Sequence, residues 1–248
     1  MNTSLAPRVA LITGAAGTMG AAAARRLAAD GYRIALLDIA KDQLQPILTD
    51  LGHGAHAVSA DISDSSECDR AVNEAENVLG PIDILVNNAG ILSNHKAADT
   101  TPEEWRRVLS INLDGPFYLS RRVLPGMKSR RFGRIVNVCS LAMKSGGLTA
   151  GTAYTASKGA LGALTFSLAR EAAPFGVTVN AISPAYVRTP MVTEQLTDAQ
   201  RQALLAQIPV GRFCEPEEFA HCVSFLVAPL SGFITGEILD LNGGLHFD

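Results

Sequence analysis

Short apolar runs alternate with helical patterns along nearly all of this 248-residue chain. Arg8-Val-Ala-Leu-Ile-Thr13, Ile34-Ala-Leu-Leu-Asp38, Ala55–Ser59, Ile84-Leu-Val-Asn87, Arg134-Ile-Val-Asn-Val-Cys139, Val177-Thr-Val-Asn-Ala-Ile182 and Ile238-Leu-Asp-Leu241 read as strands. An Ala-rich helix to about Asp30, a helix over Ser65–Leu79, a long helical region from Pro102 to about Lys128 and another from Ala153 to Ala173 separate them. Strands that are apolar on both faces and joined through helices form a parallel sheet covered on both sides. The expected fold is therefore α/β, a doubly wound Rossmann-like parallel sheet flanked by helices. With 47% hydrophobic and 18% charged residues and no Pro/Gly/Ser-rich linker, the chain is expected to be a single domain over residues 1–248. Ligands of such sheets bind beyond the carboxyl ends of the strands. The notable residues of this chain fall there.

The first strand runs into Gly14-Ala-Ala-Gly17-Thr18-Met19-Gly20 and then a helix. A strand, a glycine turn and a helix N-terminus direct backbone N–H groups at a phosphate, and glycine lets the ligand come close. A tight connection without a ligand is the other reading. Asp38 ends the second strand, where a carboxylate accepts hydrogen bonds from an adenosine ribose and repels a 2′-phosphate. No Arg or Lys lies within Ala15–Met19, and Ile39 follows Asp38, so NAD is expected rather than NADP. Asp38 as a turn cap is the alternative. Asp61 and Ile62, after the third strand, suit an adenine, and Asp61 equally suits an N-cap for the next helix.

Tyr154 and Lys158 stand four residues apart on a predicted helix and so share one face. A free tyrosine has a pKa near ~10, and a nearby ammonium favours its phenolate, which is how tyrosine becomes a general acid/base.

Several function classes are disfavoured. A formal charge of −3 provides no basic footprint for nucleic acid or an acidic membrane. No apolar run reaches the ~18 residues of a membrane span, and the N-terminus shows no signal-peptide pattern. Cys68, Cys139, Cys214 and Cys222 form no CxxC or metal-ligand spacing, so no metal is expected, and the thiols read as reduced in a cytoplasmic protein.

Together these residues resemble the short-chain dehydrogenases/reductases. The resemblance is carried by Thr13-Gly-Ala-Ala-Gly-Thr-Met-Gly20, Asp61-Ile62, Asn87-Asn88-Ala89-Gly90, Asn112, Ser140, Tyr154 with Lys158, and Pro184 to Thr189, in family order over essentially the whole chain. It implies that Tyr154 exchanges a proton with the substrate oxygen while hydride passes to or from the nicotinamide. Ser140 would hold that oxygen, and Lys158 would bond the nicotinamide ribose and lower the Tyr154 pKa. Asn112 would be the fourth catalytic member, acting through its backbone carbonyl and a relay water. Asn88, Ala89 and Gly90 would line the adenosine ribose, although Asn-Asn-Ala-Gly also reads as a strand-ending turn. Pro184, Val187 and Thr189 would border the carboxamide. Three departures stand out: Thr18 and Ala185 where the family usually has glycine, and a Ser140–Tyr154 interval one residue longer than in the commonest members, so that the loop Leu141–Ala153 is expected to bulge into the substrate pocket.

The implied activity is NAD-dependent interconversion of a secondary alcohol (a small alcohol, polyol or hydroxyacid) and its ketone. The small-molecule pocket is expected among Leu92, Asn94, His95, Leu141, Met143, Gly151, Tyr186 and Met191, under an amphipathic lid over Met191–Gln207. One alternative is a 3-oxoacyl-(acyl carrier protein) reductase, a class that generally uses NADPH and docks its carrier on basic residues. Arg131 matches one docking position, but Phe175 stands where the other is basic. A catalytically silent NAD-binding sensor is the alternative from a different class. The resemblance also implies a homotetramer, with Leu245 and Phe247 of the tail packing on a neighbour or on their own subunit.

Overall fold

The structure, a computed structural model, describes residues 7–190 and 197–247. Seven strands form one all-parallel sheet: β1 (Val9–Thr13), β2 (Arg33–Asp38), β3 (Ala55–Ser59), β4 (Ile82–Asn87), β5 (Gly133–Val138), β6 (Val177–Pro184) and β7 (Ile238–Leu241). Their spatial order is β3-β2-β1-β4-β5-β6-β7. The order reverses between β1 and β4, so the loops leaving these strands diverge and open a crevice at their carboxyl ends.

The helices are α1 (Thr18–Ala29), α2 (Gln45–Leu51), α3 (Ser65–Leu79), α4 (Pro102–Leu109), α5 (Gly115–Arg130), α6 (Ala142–Ser145), α7 (Thr152–Ala172), α8 (Asp198–Leu205) and α9 (Pro216–Val227). Alternation along each strand divides the core. Leu11, Ala35, Leu37, Val58, Leu85, Ile135 and Val179 face α3, α5 and α7. Ala10, Ile12, Ile34, Leu36, Ile84, Val136 and Ile182 face α1 and α9. Burial on both faces explains why the strands read as continuous apolar runs.

Two features depart from the sequence reading. The long helical region is α4 and α5 joined by a π-helical turn, Ser110–Asp114, in which the Gly115 N–H reaches back to the Ser110 carbonyl. Asn112 is therefore in a bulge rather than a regular helix, and such bulges cluster at functional sites. The N-cap of α3 is Asp64, whose carboxylate accepts from the Ser66 and Glu67 amides, and not Asp61. Asp61 instead accepts from the amide and hydroxyl of Ser63. A buried polar chain also crosses the sheet: Asn87 Nδ2 donates to Asn137 Oδ1 at 2.8 Å, and Asn137 Nδ2 to Thr165 Oγ1 at 2.9 Å. It ties β4, β5 and α7 together directly below the crevice.

Candidate active site

A groove of about 980 Å³ follows the carboxyl ends of β1 to β6. At its near end Gly14 has φ +63°, and a Cβ there would lie 2.9 Å from Ala89 Cα. Gly20 does not line the groove. A Cβ on it would meet the Gly14 carbonyl at 2.2 Å, so its small size lets α1 close onto the turn. Gly17 differs from both. Its φ of −74° suits any residue, and a Cβ would find one backbone atom at 3.3 Å. A side chain here would crowd the Gly14 carbonyl as well as a ligand lying against the turn. Thr18 and Met19 also line the groove, and α1 starts with neither a capping side chain nor an acidic residue in its first turn. Its open N–H donors suit a pyrophosphate.

Asp38 lines the groove at the end of β2. Its Oδ2 accepts from the Ala16 amide at 3.0 Å and its Oδ1 from the Ala40 amide at 3.1 Å. The carboxylate is therefore both a turn cap and a fixed anion at the mouth of the groove. Ile39, 68% exposed, Asp61 and Ile62 continue that wall. Ala89 and Gly90 line the floor. The Asn88 side chain is committed elsewhere, donating to the Thr13 and Gly14 carbonyls at 2.9 and 3.2 Å, while Thr13 Oγ1 accepts from the Asn88 and Ala89 amides. Asn88 thus locks the glycine turn to β4.

At the far end stand Ser140, Tyr154 and Lys158, with Pro184, Val187 and Thr189 beside them. Ser140 follows β5, Tyr154 and Lys158 come from successive turns of α7, and the Pro184 segment leaves β6. Tyr186, next to it, has φ +47°, uncommon for a non-glycine residue and frequent where a site demands a special backbone. Lys158 is buried, and its Nζ donates to the Val138 carbonyl at 2.7 Å and lies 5.7 Å from the Tyr154 ring centre. Burial lowers its pKa to about 8.

The Tyr154 pKa is raised above the ordinary value for tyrosine. Burial outweighs the opposing hydrogen bond from Ser140, because a phenolate loses more hydration than that bond returns. The resting side chain is a neutral phenol.

Asn112 is fully buried behind this end and does not line the groove. Its Oδ1 accepts from the Ile91 amide at 2.8 Å, and its Nδ2 donates to the Ile91 carbonyl and to Ser157 Oγ. It joins the π turn to the loop after β4 and to α7. A Cβ on Gly90 would sit 3.1 Å from Asn112 Oδ1 and 3.3 Å from Lys158 Nζ, so glycine is what allows the three to meet.

The pocket set is partly corrected. Leu92, Asn94, Leu141 and Tyr186 line the groove, while His95, Met143 and Gly151 do not. His95 pairs through Nδ1 with Glu104 Oε2 at 2.7 Å on the surface. Met143 packs among Cys139, Leu161 and Ile238. Met191 and the first part of the expected lid lie outside the described residues; its later part is α8, whose Leu204 reaches the groove. Arg107 and Ile111, which the sequence reading does not name, also line it, as do Leu148, Thr149 and Ala150 of the loop 141–153 that the longer Ser140–Tyr154 interval is expected to push into the pocket. Helical spacing between Arg107 and Ile111 was a usable signal. Leu245 packs on Leu204, Ile208 and Phe213 of its own chain, and Phe247 is 84% exposed.

Among the described residues, no helix is long and apolar enough to cross a membrane, and no group of three His, Cys, Asp or Glu side chains is placed to hold a metal.

A parallel sheet of this order, a glycine turn at its crevice and a Ser/Tyr/Lys set at the far end define a nicotinamide-linked oxidoreductase site. The chain belongs to the short-chain dehydrogenase/reductase family. The family model described as enoyl-(acyl carrier protein) reductase matches residues 14–246. The chain is 40% identical to the acetoacetyl-CoA reductase of Rhizobium meliloti (strain 1021) over 240 residues, covering 97% of this chain and 99% of that one. It is 36% identical to the 3-oxoacyl-[acyl-carrier-protein] reductase FabG of Escherichia coli (strain K12), over 96% and 97% of the two chains. A solved Brucella melitensis structure, titled a short-chain dehydrogenase/reductase of the glucose/ribitol dehydrogenase type, superposes with a TM-score of 0.90 at 35% identity over 97% of each chain.

Proposed function

We propose that the protein reduces the 3-oxo group of an acyl thioester to a secondary alcohol, reversibly, with NADH as hydride donor. The observation that carries this reading is the pairing, in one groove, of a neutral Tyr154 beside Ser140 and Lys158 with a fixed Asp38 carboxylate at the other end. The substrate class follows the relatives, which are acetoacetyl-CoA and 3-oxoacyl thioester reductases. It takes precedence over small alcohols and polyols.

Gly17, the open N-terminus of α1, Asp38, Asp61 and Ile62 would hold the adenosine and pyrophosphate of the cofactor, and Pro184, Val187, Thr189 and Lys158 its nicotinamide end. The bound cofactor supplies hydride to the carbonyl carbon. Ser140 donates a hydrogen bond to the carbonyl oxygen and orients it. Tyr154, protonated at rest because it is buried, gives its proton to that oxygen as it gains negative charge. Lys158, with its pKa near 8, is largely charged at neutral pH and stabilises the phenolate that remains. Asn112 keeps α7 and the loop after β4 in register behind them.

Coenzyme A is favoured over a carrier protein as the thioester handle. At the face where a carrier would dock, the Arg131 guanidinium bonds the Pro174 carbonyl at 3.2 Å. Lys128 lies 5.1 Å over the Phe175 ring and pairs with Glu171. The cations there are engaged and one expected position is aromatic. Closure of α8 over the groove would exclude water.

A homotetramer is the proposed assembly: half-exposed Phe117 and Phe166 on α5 and α7, and exposed Phe225, Leu230 and Phe233 near the edge strand β7, leave apolar surface to cover. A cytoplasmic location accords with four unpaired thiols.

The test is NADH or NADPH oxidation with acetoacetyl-CoA, with small ketones and polyols as controls. NADH-linked turnover of the thioester, abolished in Tyr154→Phe with NADH binding intact, supports the reading. Turnover confined to NADPH, or to small alcohols and ketones, would overturn the cofactor or the substrate assignment respectively.

A further inference from the structure

The segment that walls the substrate end of the groove has little structure of its own. It runs from Gly146 and Gly147, both at positive φ (+75° and +74°), to Gly151, just ahead of α7. Consecutive left-handed glycines leave a chain conformationally free unless something holds it. Gly147, Leu148, Thr149 and Ala150 nevertheless line the groove, with Leu148 68% exposed.

What holds them comes from the loop after β4. The Lys96 ammonium donates to the Gly147 carbonyl at 2.8 Å and to the Ala150 carbonyl at 2.6 Å. Beside it the Gly151 amide donates to the Ser93 carbonyl at 2.6 Å, and the Thr152 amide to the His95 carbonyl at 3.0 Å. A Cβ on Gly151 would lie 2.5 Å from the His95 carbonyl oxygen, so the two strands of loop are as close as backbone permits. The first loop is itself anchored: Ser93 and His95 both bond Glu104 on α4, and Ile91 is held by Asn112. Lys96 does not line the groove and forms no ion pair among the described residues. Its charge is used on two carbonyl oxygens, three residues apart, that bracket the exposed turn.

We propose that Lys96 is a positioning residue for substrate. By gripping Gly147 and Ala150 it converts a glycine-rich loop into the fixed wall that the acyl chain meets beside Ser140 and Tyr154. The longer Ser140–Tyr154 interval of this chain adds freedom to the wall ahead of α7, which the clamp takes up at Gly147 and Ala150. This rests on the functional reading above, because the wall matters only if substrate enters at that end.

The test compares wild type, Lys96→Met and Lys96→Arg by amide hydrogen exchange across residues 146–151 and by steady-state kinetics with NADH and acetoacetyl-CoA. In Lys96→Met those amides should exchange faster, and the KM for thioester should rise about tenfold with kcat within about threefold, as loss of charged hydrogen bonds that hold a ground-state wall predicts. NADH affinity should be unchanged, and Lys96→Arg should restore most of the exchange protection and of the KM. Unchanged exchange, unchanged KM, or an NADH affinity that falls in step with KM would each overturn the clamp. If wild type turns over no thioester, the functional reading fails by itself, and the exchange comparison alone decides whether Lys96 holds the loop.

Discussion

Replacing Asp38 with Asn removes a charge without removing a shape. The amide retains an oxygen, so one of the two backbone donors that Asp38 satisfies, the Ala16 and Ala40 amides, keeps its partner while water in the open groove serves the other. What changes is the field at the ribose end. A carboxylate bonded to a ribose hydroxyl contributes about 1.5–3 kcal/mol. A 2′-phosphate about 4 Å from it is opposed by roughly 4 kcal/mol per unit charge at the effective dielectric of a protein surface, and solvent in an open groove reduces this to about 2. Together these give about 3.5–5 kcal/mol of discrimination, a preference for NADH over NADPH on the order of several hundredfold or more in kcat/KM. Asp38→Asn should erase most of it, bringing the two cofactors within about tenfold of each other, both by weakening NADH and by improving NADPH. Initial rates at matched thioester concentration, with each cofactor varied, measure the ratio directly. A wild type that prefers NADPH, or a ratio that Asp38→Asn leaves in place, would refute the reasoning.

The remaining predictions concern the core of the site. Lys158 has a folded pKa near 8 against 10.5 for a free lysine, so between these values the unfolded chain binds more protons and stability rises with pH. Thermal melts of wild type should therefore gain on those of Lys158→Met from pH 8 to 9.5, below the range where Tyr154 titrates; parallel curves would show that the lysine is not destabilised by burial. Gly20→Ala should lower stability by about 1–3 kcal/mol and weaken NADH binding, since its Cβ would collide with the Gly14 carbonyl; calorimetric melting with and without NADH checks both. Asn137→Ala should cost about 1–3 kcal/mol in denaturant unfolding by stranding Asn87 and Thr165, with kcat little changed because neither touches the groove.

Much of the fold was legible because its signals are local. Apolar runs that are buried on both faces, such as Ile34–Leu37, announce a parallel strand with no knowledge of their neighbours. Gly14 and the Tyr154–Lys158 pair mark a turn and a helix face by spacing alone. Three helices of the described residues have no counterpart in the sequence reading. α2 and the four-residue α6 are short, α2 beginning beside Pro46, and α9 is signalled only by the Glu215–Glu218 capping box and Pro216. The bulge at Asn112 has no local signature: an asparagine between Ile111 and Leu113 reads as helix until its side chain is seen bonded to Ile91 and Ser157.

The order of residues therefore determined the sheet, the crevice at its carboxyl edge and the reacting groups, since each depends on periodicity, glycine conformation or helical register. Tertiary structure alone decided what those groups experience. Tyr154 is neutral and Lys158 weakened as a base because burial, which sums over every neighbouring element, is the largest influence on both and at Tyr154 outweighs the Ser140 hydrogen bond. It likewise decided what holds the loop that walls the substrate end, since the Lys96 contacts join residues 51 and 54 positions apart that no local pattern connects.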